Sequence, residues 1–272
     1  MLDIIRKQID RDLNREEQIS QLREFMQILV LKIIYDLGGF KNLVFTGGAA
    51  LRIIYALKRY SEDLGFSLIN KAGYSFVHLC KEIEKQLTRD YGFGLSLACD
   101  ERRAVQTIDL KFERLLFDLS LSEHKTQKLY IKMEVDSNPP AGGKTEISLI
   151  SRSFVFTVTH FDLPSLFATK LHACFFRKYT KGRDLYDLIW YLGKNLMPNF
   201  ELLNNAIKQT QGESPKIDAK NLKDFLIEHL GKIDYHLARK DVERFLIDKS
   251  ELKLFDRELL LKVANSKFPH NY

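Results

Sequence analysis

Paired glycines at a strand-to-helix turn are the residues of this chain best suited to chemistry. The apolar run Leu43-Val44-Phe45 precedes Gly47 and Gly48, and a helix is predicted from Ala49 to Leu57. Glycine lets the backbone approach an anion closely, and the first N–H groups of a helix are donors without a partner in the helix. This order predicts a cradle for the phosphates of a nucleotide. The alternative is a turn that only connects two elements.

The next segment adds a carboxylate beside this turn. Residues 62–69 alternate as a strand does, with Leu64, Phe66 and Leu68 on one face, so Asp63 points to the other. A carboxylate beside a phosphate-binding turn can hold a divalent cation against a triphosphate. The alternative is that Asp63 is an ordinary solvated strand residue.

A later predicted strand, 129–136, carries a second charged face. Lys132, Glu134 and Asp136 alternate with apolar residues and therefore share one side of the strand. An ordinary polar face is the competing interpretation.

Two predicted helices near the middle of the chain carry the remaining candidates. Lys170 lies among apolar neighbours, where a partly buried lysine needs an anion such as a triphosphate. Asp184 and Asp187 are three positions apart and project from one side of a helix. The alternative makes Lys170 a snorkelling side chain, Asp184 a helix cap and Asp187 the partner of Arg183 in a surface pair.

The order of these motifs resembles the AbiEii/AbiGii toxin family of the nucleotidyltransferase superfamily. The resemblance covers roughly residues 42–192: the Gly-Gly turn, Arg-Tyr-Ser-Glu-Asp-Leu-Gly-Phe-Ser at 59–67, Lys-x-x-Ala from Lys170 and Arg-Asp-x-x-Asp from Arg183. The strand in that family usually carries Asp-x-Asp, with both carboxylates binding magnesium. Here Asp63 fills the first position and Gly65 the second. This departure implies weakened or altered catalysis.

The resemblance implies a reaction and a set of site residues. The reaction is transfer of a nucleoside monophosphate from an NTP to a hydroxyl of RNA, such as tRNA, or of protein, with Mg²⁺. The implied biological role is the toxin of a toxin–antitoxin or phage-defence system, with a cognate antitoxin protein as partner. The implied nucleotide-binding residues are Gly47, Gly48, Arg52, Ser61, Lys170 and Asp184; the metal ligands are Asp63, Glu134 and Asp136; the catalytic residues are Asp63, Lys170 and Asp187.

In these implied roles, Lys170 balances the charge of the triphosphate, and Asp187 orients or deprotonates the acceptor. Two other functions compete with this one. Gly65 favours a nucleotidyltransferase fold that binds nucleotide or nucleic acid without turnover. The excess of 42 Lys and Arg over 36 Asp and Glu, a net charge of +6, is compatible with a basic RNA-binding protein and equally with a solvated surface.

Length and composition predict a globular protein of two lobes. The 272 residues include 45% hydrophobic and 29% charged residues, no stretch resembles a membrane span, and the first twelve residues lack a signal-peptide core, so we expect a cytoplasmic location. Cys80, Cys99 and Cys174 are widely spaced in apolar surroundings, which predicts three buried thiols.

The predicted fold class is α+β, with a small mixed-sheet nucleotidyltransferase domain followed by an all-helical C-terminal domain. The expected boundaries are an N-terminal helix within 1–40, the α/β domain at 41–162 and the helical domain at 163–272. Strands are predicted at 94–99, 105–112, 129–136 and 154–159, besides those at 43–45 and 62–69. Helices are predicted at 15–37, 74–89, 163–177, 184–192, 200–208, 221–230, 238–246 and 255–263.

Overall fold

The computed structural model describes residues 1–179, 181–194, 196–212 and 216–267, which fall into two compact units. The first unit contains Met1–Tyr55, Tyr60–Pro139 and Ile147–His160. The second contains Ala56–Arg59, Pro140–Glu146 and the chain from Phe161 onward. A mixed sheet and a run of C-terminal helices make the fold α+β, which confirms the predicted class.

One mixed sheet of seven strands organises the structure. In chain order the strands are β1 Leu43–Thr46, β2 Asp63–Leu68, β3 Leu95–Asp100, β4 Val105–Phe112, β5 Leu129–Asp136, β6 Thr145–Ser151 and β7 Val155–Phe161. Their order across the sheet is β3-β4-β5-β2-β1-β7-β6. Strand β2 runs parallel to β5 and antiparallel to β1, whereas β4 is antiparallel to both β3 and β5.

Five helices belong to the first unit. They are α1 Leu2–Gln8, α2 Arg15–Asp36, α3 Gly47–Tyr55, α4 Phe76–Lys85 and α5 Leu115–Asp118, and a π-helical turn at Gln86–Asp90 extends α4. Helix α2 begins with a capping box, because the Asn14 side chain accepts from the Glu17 N–H and the Glu17 side chain accepts from the Asn14 N–H. Leu22, Met26 and Leu29 of this helix are fully buried.

Among the described residues, six α-helices belong to the second unit. They are α6 Leu163–Phe176, α7 Gly182–Leu192, α8 Phe200–Gln211, α9 Leu222–Leu230, α10 Tyr235–Val242 and α11 Arg257–Lys267. All six were predicted, with ends displaced by about one turn or less. Helix α7 starts at Gly182 rather than at Asp184, and α10 lies against its first residue. A Cβ on Gly182 would stand only 1.9 Å from the carbonyl oxygen of Ala238.

Three of these elements and one cysteine depart from the sequence-based expectations. Strand β6 and the short helices α1 and α5 were not predicted. Strand β6 lies at the edge of the sheet, and its Ile147 and Leu149 stay exposed, so its sequence gives no burial pattern. The prediction of three buried thiols is wrong for Cys99, which is exposed on β3. Burial raises the pKa of the Cys99 thiol and that of the Cys80 thiol on α4.

Candidate functional site

Three neighbouring strands bring charged side chains to one face of the sheet in the first unit. The pairing aligns Asp63 of β2 with Lys132 of β5, and Lys132 with Asp109 of β4. Residues opposite each other on paired strands point to the same face, so these side chains form one row across the sheet. The next row on that face contains Gly65, Glu134 and Thr107.

The same register decides which carboxylate accompanies Asp63. Glu134 is the diagonal neighbour of Asp63, and such pairs lie about 7 Å apart between Cα atoms, a separation across which two side chains can share an ion. Asp136 pairs with Ser67, which is four residues beyond Asp63 and therefore about 13 Å further along the strand. The Asp136 carboxylate also accepts the Asn138 N–H at 3.0 Å. Glu134, rather than Asp136, is the geometric partner of Asp63.

Lys132 occupies the centre of this group of acids. Its Nζ donates to Oε1 of Glu134 at 2.6 Å. This hydrogen bond raises the pKa of Lys132 despite partial burial, and the charges of Asp63 and Asp109 act in the same direction. Asp109 also accepts from the Tyr130 hydroxyl at 2.5 Å. The sequence placed Lys132 on this face, but reasoning from the resemblance gave it no role.

The glycine turn begins in the row of Gly65 and Glu134. Thr46, the last residue of β1, pairs with Gly65, and Gly47 follows it as the first residue of α3. The φ of Gly47 is 78°, in the left-handed region that favours glycine. A Cβ at Gly47 would meet nothing within 4 Å, so the space beside the turn is open. Gly48 lies in the first turn of the same helix.

Two other predicted nucleotide-binding residues have partners within the first unit. The Arg52 guanidinium forms an ion pair with Glu24 (Nε to Oε2, 2.5 Å) and lies 5.0 Å from the ring centre of Tyr60. The Ser61 hydroxyl donates to the backbone oxygen of Asp63 at 3.4 Å. A role for Arg52 and Ser61 toward a nucleotide stays a prediction.

The second unit holds a separate cluster of buried charges. Arg59 donates two parallel hydrogen bonds to Asp187, each of 2.6 Å. Lys170 forms ion pairs of 2.7 Å with both Asp184 and Asp187. The side chains of these four residues are each 9% exposed or less. Two cations and two anions make the cluster neutral, which is the condition for burying charges.

The pKa values follow from this arrangement. Burial by itself lowers the pKa of Lys170, yet Asp184 and Asp187 raise it above the ordinary value. Burial opposes ionisation of Asp184, but Lys170 and the Arg177 guanidinium lower its pKa to about 2. Lys170 and Asp184 are therefore both charged at neutral pH.

The cluster shows which anions Lys170 contacts. Lys170 is buried, as its neighbours predicted, and it contacts two carboxylates of its own chain. The alternative of a surface pair between Arg183 and Asp187 is wrong, because Asp187 is fully buried and the Arg183 guanidinium lies 4.4 Å from the ring centre of Phe245. Sequence reasoning gave no role to Arg59, and nothing in its local pattern points to Asp187.

The acids of the sheet face fit a magnesium ion that brings its own further ligands. Among the residues that the structure describes, no three His, Cys, Asp or Glu side chains are grouped to hold a metal ion. Mg²⁺ commonly takes only one or two carboxylates from a protein, with phosphates and water completing the octahedron. Asp63 and Glu134 are a pair of that kind.

The family model for the nucleotidyl transferase AbiEii toxin of type IV toxin–antitoxin systems matches residues 29–257. No curated protein matches the chain. Within the described ranges, no helix is both long and apolar enough to cross a bilayer.

Two solved structures share the fold. JHP933 from Helicobacter pylori has a TM-score of 0.59 and 19% identity, over 96% of this chain and 93% of that one. A candidate nucleotidyltransferase from H. pylori has a TM-score of 0.55 and 18% identity, over 96% of both chains. At such identities the likeness concerns the fold, whereas the family model covers most of the sequence. The chain therefore belongs to the nucleotidyl transferase AbiEii toxin family.

Proposed function

We propose that the chain transfers a nucleoside monophosphate from an NTP to a hydroxyl of RNA, with Mg²⁺, as the toxin of a type IV toxin–antitoxin pair. One observation carries the proposal. The Gly47 turn, Asp63 and Glu134 occupy adjacent rows of one sheet in one compact unit. A phosphate cradle and a carboxylate pair at this separation are what a metal-bound triphosphate needs.

Each residue has a defined task in this reaction. The backbone N–H groups at Gly47 and Gly48 bind phosphate oxygens at the start of α3. Asp63 and Glu134 are the residues that would hold a magnesium ion. When bound, Mg²⁺ neutralises phosphate charge and favours departure of pyrophosphate.

The cluster around Lys170 has a more limited part in the proposal. Lys170 and Asp187 are buried against each other, so we assign them first to the stability of the second unit. A direct role in balancing triphosphate charge or activating the acceptor requires one of them to exchange its present partner for substrate. The net charge of +6 supports RNA as acceptor, and the family supports an antitoxin partner. For this reaction we expect a cytoplasmic location, since its substrate is an NTP.

A labelled-nucleotide assay tests the proposal. The wild type is incubated with each α-labelled NTP, Mg²⁺ and tRNA or total RNA, and incorporation is compared with that of Asp63→Asn and Glu134→Gln. We expect both variants to lose at least 100-fold in rate, which is about 2.7 kcal/mol of transition-state stabilisation. Asp136→Asn is the matched control, since it removes a charge from the same face of β5 outside the proposed pair. Equal labelling by the wild type and Asp63→Asn would overturn the proposal.

A second candidate function is a binding protein with the same fold and no turnover. Gly65 favours it, because this residue pairs with Glu134 and gives β2 no second carboxylate there. Such a protein would bind NTP in calorimetry and leave every RNA and protein acceptor unlabelled.

A further inference from the structure

Lys132 lies beside both acids of the proposed metal pair, as the register partner of Asp63 and the hydrogen-bond donor to Glu134. It is the row partner of Asp63, it donates to Glu134 at 2.6 Å, and Asp109 is its row partner on the other side. Three carboxylates and one ammonium give this part of the face a charge of −2. The ammonium is thus an internal counter-ion of the acids that would bind a metal.

This contact differs from an ordinary surface ion pair. The Lys132 and Glu134 side chains are 33% and 40% exposed, and both lie on one strand with acids on the two neighbouring strands. An ammonium with several carboxylates around it is not easily replaced by a hydrated divalent ion, because the two cations repel each other at short range. Lys132 therefore competes with free metal for Glu134.

A nucleotide changes this competition. Its triphosphate offers several anionic oxygens, and lysine binds phosphate as a compact point charge on a flexible stem. When the phosphates enter beside the Gly47 turn, the Lys132 ammonium can move to them and leave Glu134 to the metal.

We propose that Lys132 is a positioning residue that keeps free divalent metal out of the Asp63–Glu134 pair and admits it together with the nucleotide. The nucleotide step rests on the proposed function, whereas the competition with free metal does not. In this arrangement Gly65 is compatible with metal binding, because the lysine supplies positive charge that a second ion would otherwise bring.

Manganese titration tests the proposal without any turnover. Mn²⁺ binding is followed by electron paramagnetic resonance, without nucleotide, for the wild type, Lys132→Met and Lys132→Arg. We expect Lys132→Met to bind Mn²⁺ at least tenfold more tightly than the wild type, and Lys132→Arg to resemble the wild type. The gain should vanish in Lys132→Met combined with Asp63→Asn. Lys128→Met is the matched control, since it removes a lysine paired with an exposed Glu113 at 2.8 Å.

A second titration adds an NTP with a methylene bridge between its α- and β-phosphates. This analogue should tighten Mn²⁺ binding in the wild type and tighten it much less in Lys132→Met. Equal Mn²⁺ affinity of the wild type and Lys132→Met without nucleotide would overturn the proposal, even if labelling depends on Asp63. Tighter binding by Lys132→Met with no effect of the analogue and no labelling would support the competition and overturn the proposed transferase.

Discussion

Arg59 and Asp187 are separated by 128 positions in the chain, yet they form a doubly hydrogen-bonded ion pair with both contacts at 2.6 Å. Neither side chain is more than 2% exposed. A guanidinium matches a carboxylate in this parallel geometry, which lysine cannot reproduce.

Asp187→Asn should destabilise the second unit by about 3–5 kcal/mol, because it leaves the Arg59 and Lys170 charges buried with one carboxylate fewer. Urea unfolding followed by fluorescence of Trp190, the single tryptophan, reports this directly, as Trp190 lies on α7 with Asp187. Arg102→Gln is the control. Its pair with Asp100 has the arginine 87% exposed, so the loss of this pair should leave the unfolding midpoint close to that of the wild type. Equal unfolding midpoints for the two variants would contradict a structural role for the cluster.

Acid should weaken the second unit through Asp184. The folded-state pKa of about 2 lies below the ordinary 3.8, so the stabilisation is complete above about pH 4 and is lost as the pH falls toward 2. The loss is on the order of 2 kcal/mol. Urea titrations at pH 6, 4 and 3 measure it, and Asp184→Asn should lack this part of the pH dependence. A wild type whose stability falls no more than that of the variant would disprove the assignment.

Gly65→Asp should be accepted by the fold. A Cβ at Gly65 would lie 3.4 Å from the Thr46 carbonyl oxygen and 3.6 Å from its Cγ2, which are ordinary contacts. The added carboxylate lies in the row of Glu134, so Mn²⁺ affinity without nucleotide should rise at least tenfold. Gly65→Asn, equal in size and uncharged, separates charge from bulk. If both variants bind Mn²⁺ equally, the position does not face the metal pair.

Gly182→Ala should destabilise the second unit by about 1–3 kcal/mol or more. Its methyl group would overlap the Ala238 carbonyl oxygen, and a backbone atom of α10 cannot move aside as a side chain does. Thermal unfolding followed by circular dichroism measures the effect, with Gly65→Ala as the control. A melting temperature within about 1 °C of the wild type would show that α7 and α10 do not approach as described.

Local patterns predicted most elements, because a strand or helix that is buried on one side has its apolar residues at alternating or helical spacing. Strands β4 and β5 were predicted with their observed bounds, and Lys132 and Glu134 with their common face. No local signal tells that β5 lies beside β2, and only the family resemblance implied that Glu134 and Asp136 join Asp63. That register is what separates Glu134 from Asp136 as the partner of Asp63.

Long-range charge pairing was equally hidden. Lys170 was expected to meet an anion, but its partners on α7 emerge only when α6 and α7 pack together. Arg59 is the first residue of the motif at 59–67, and its local sequence does not indicate that it contacts Asp187.

The chain enters the second unit at Ala56–Arg59 and returns to the first at Tyr60 before β2 begins. A fragment cut at Phe161 would consequently contain Asp187 and Lys170 but lack the Arg59 guanidinium that donates two hydrogen bonds to Asp187. Asp187 would then keep Lys170 as its remaining buried cation, and recombinant expression of that fragment by itself should give aggregated material.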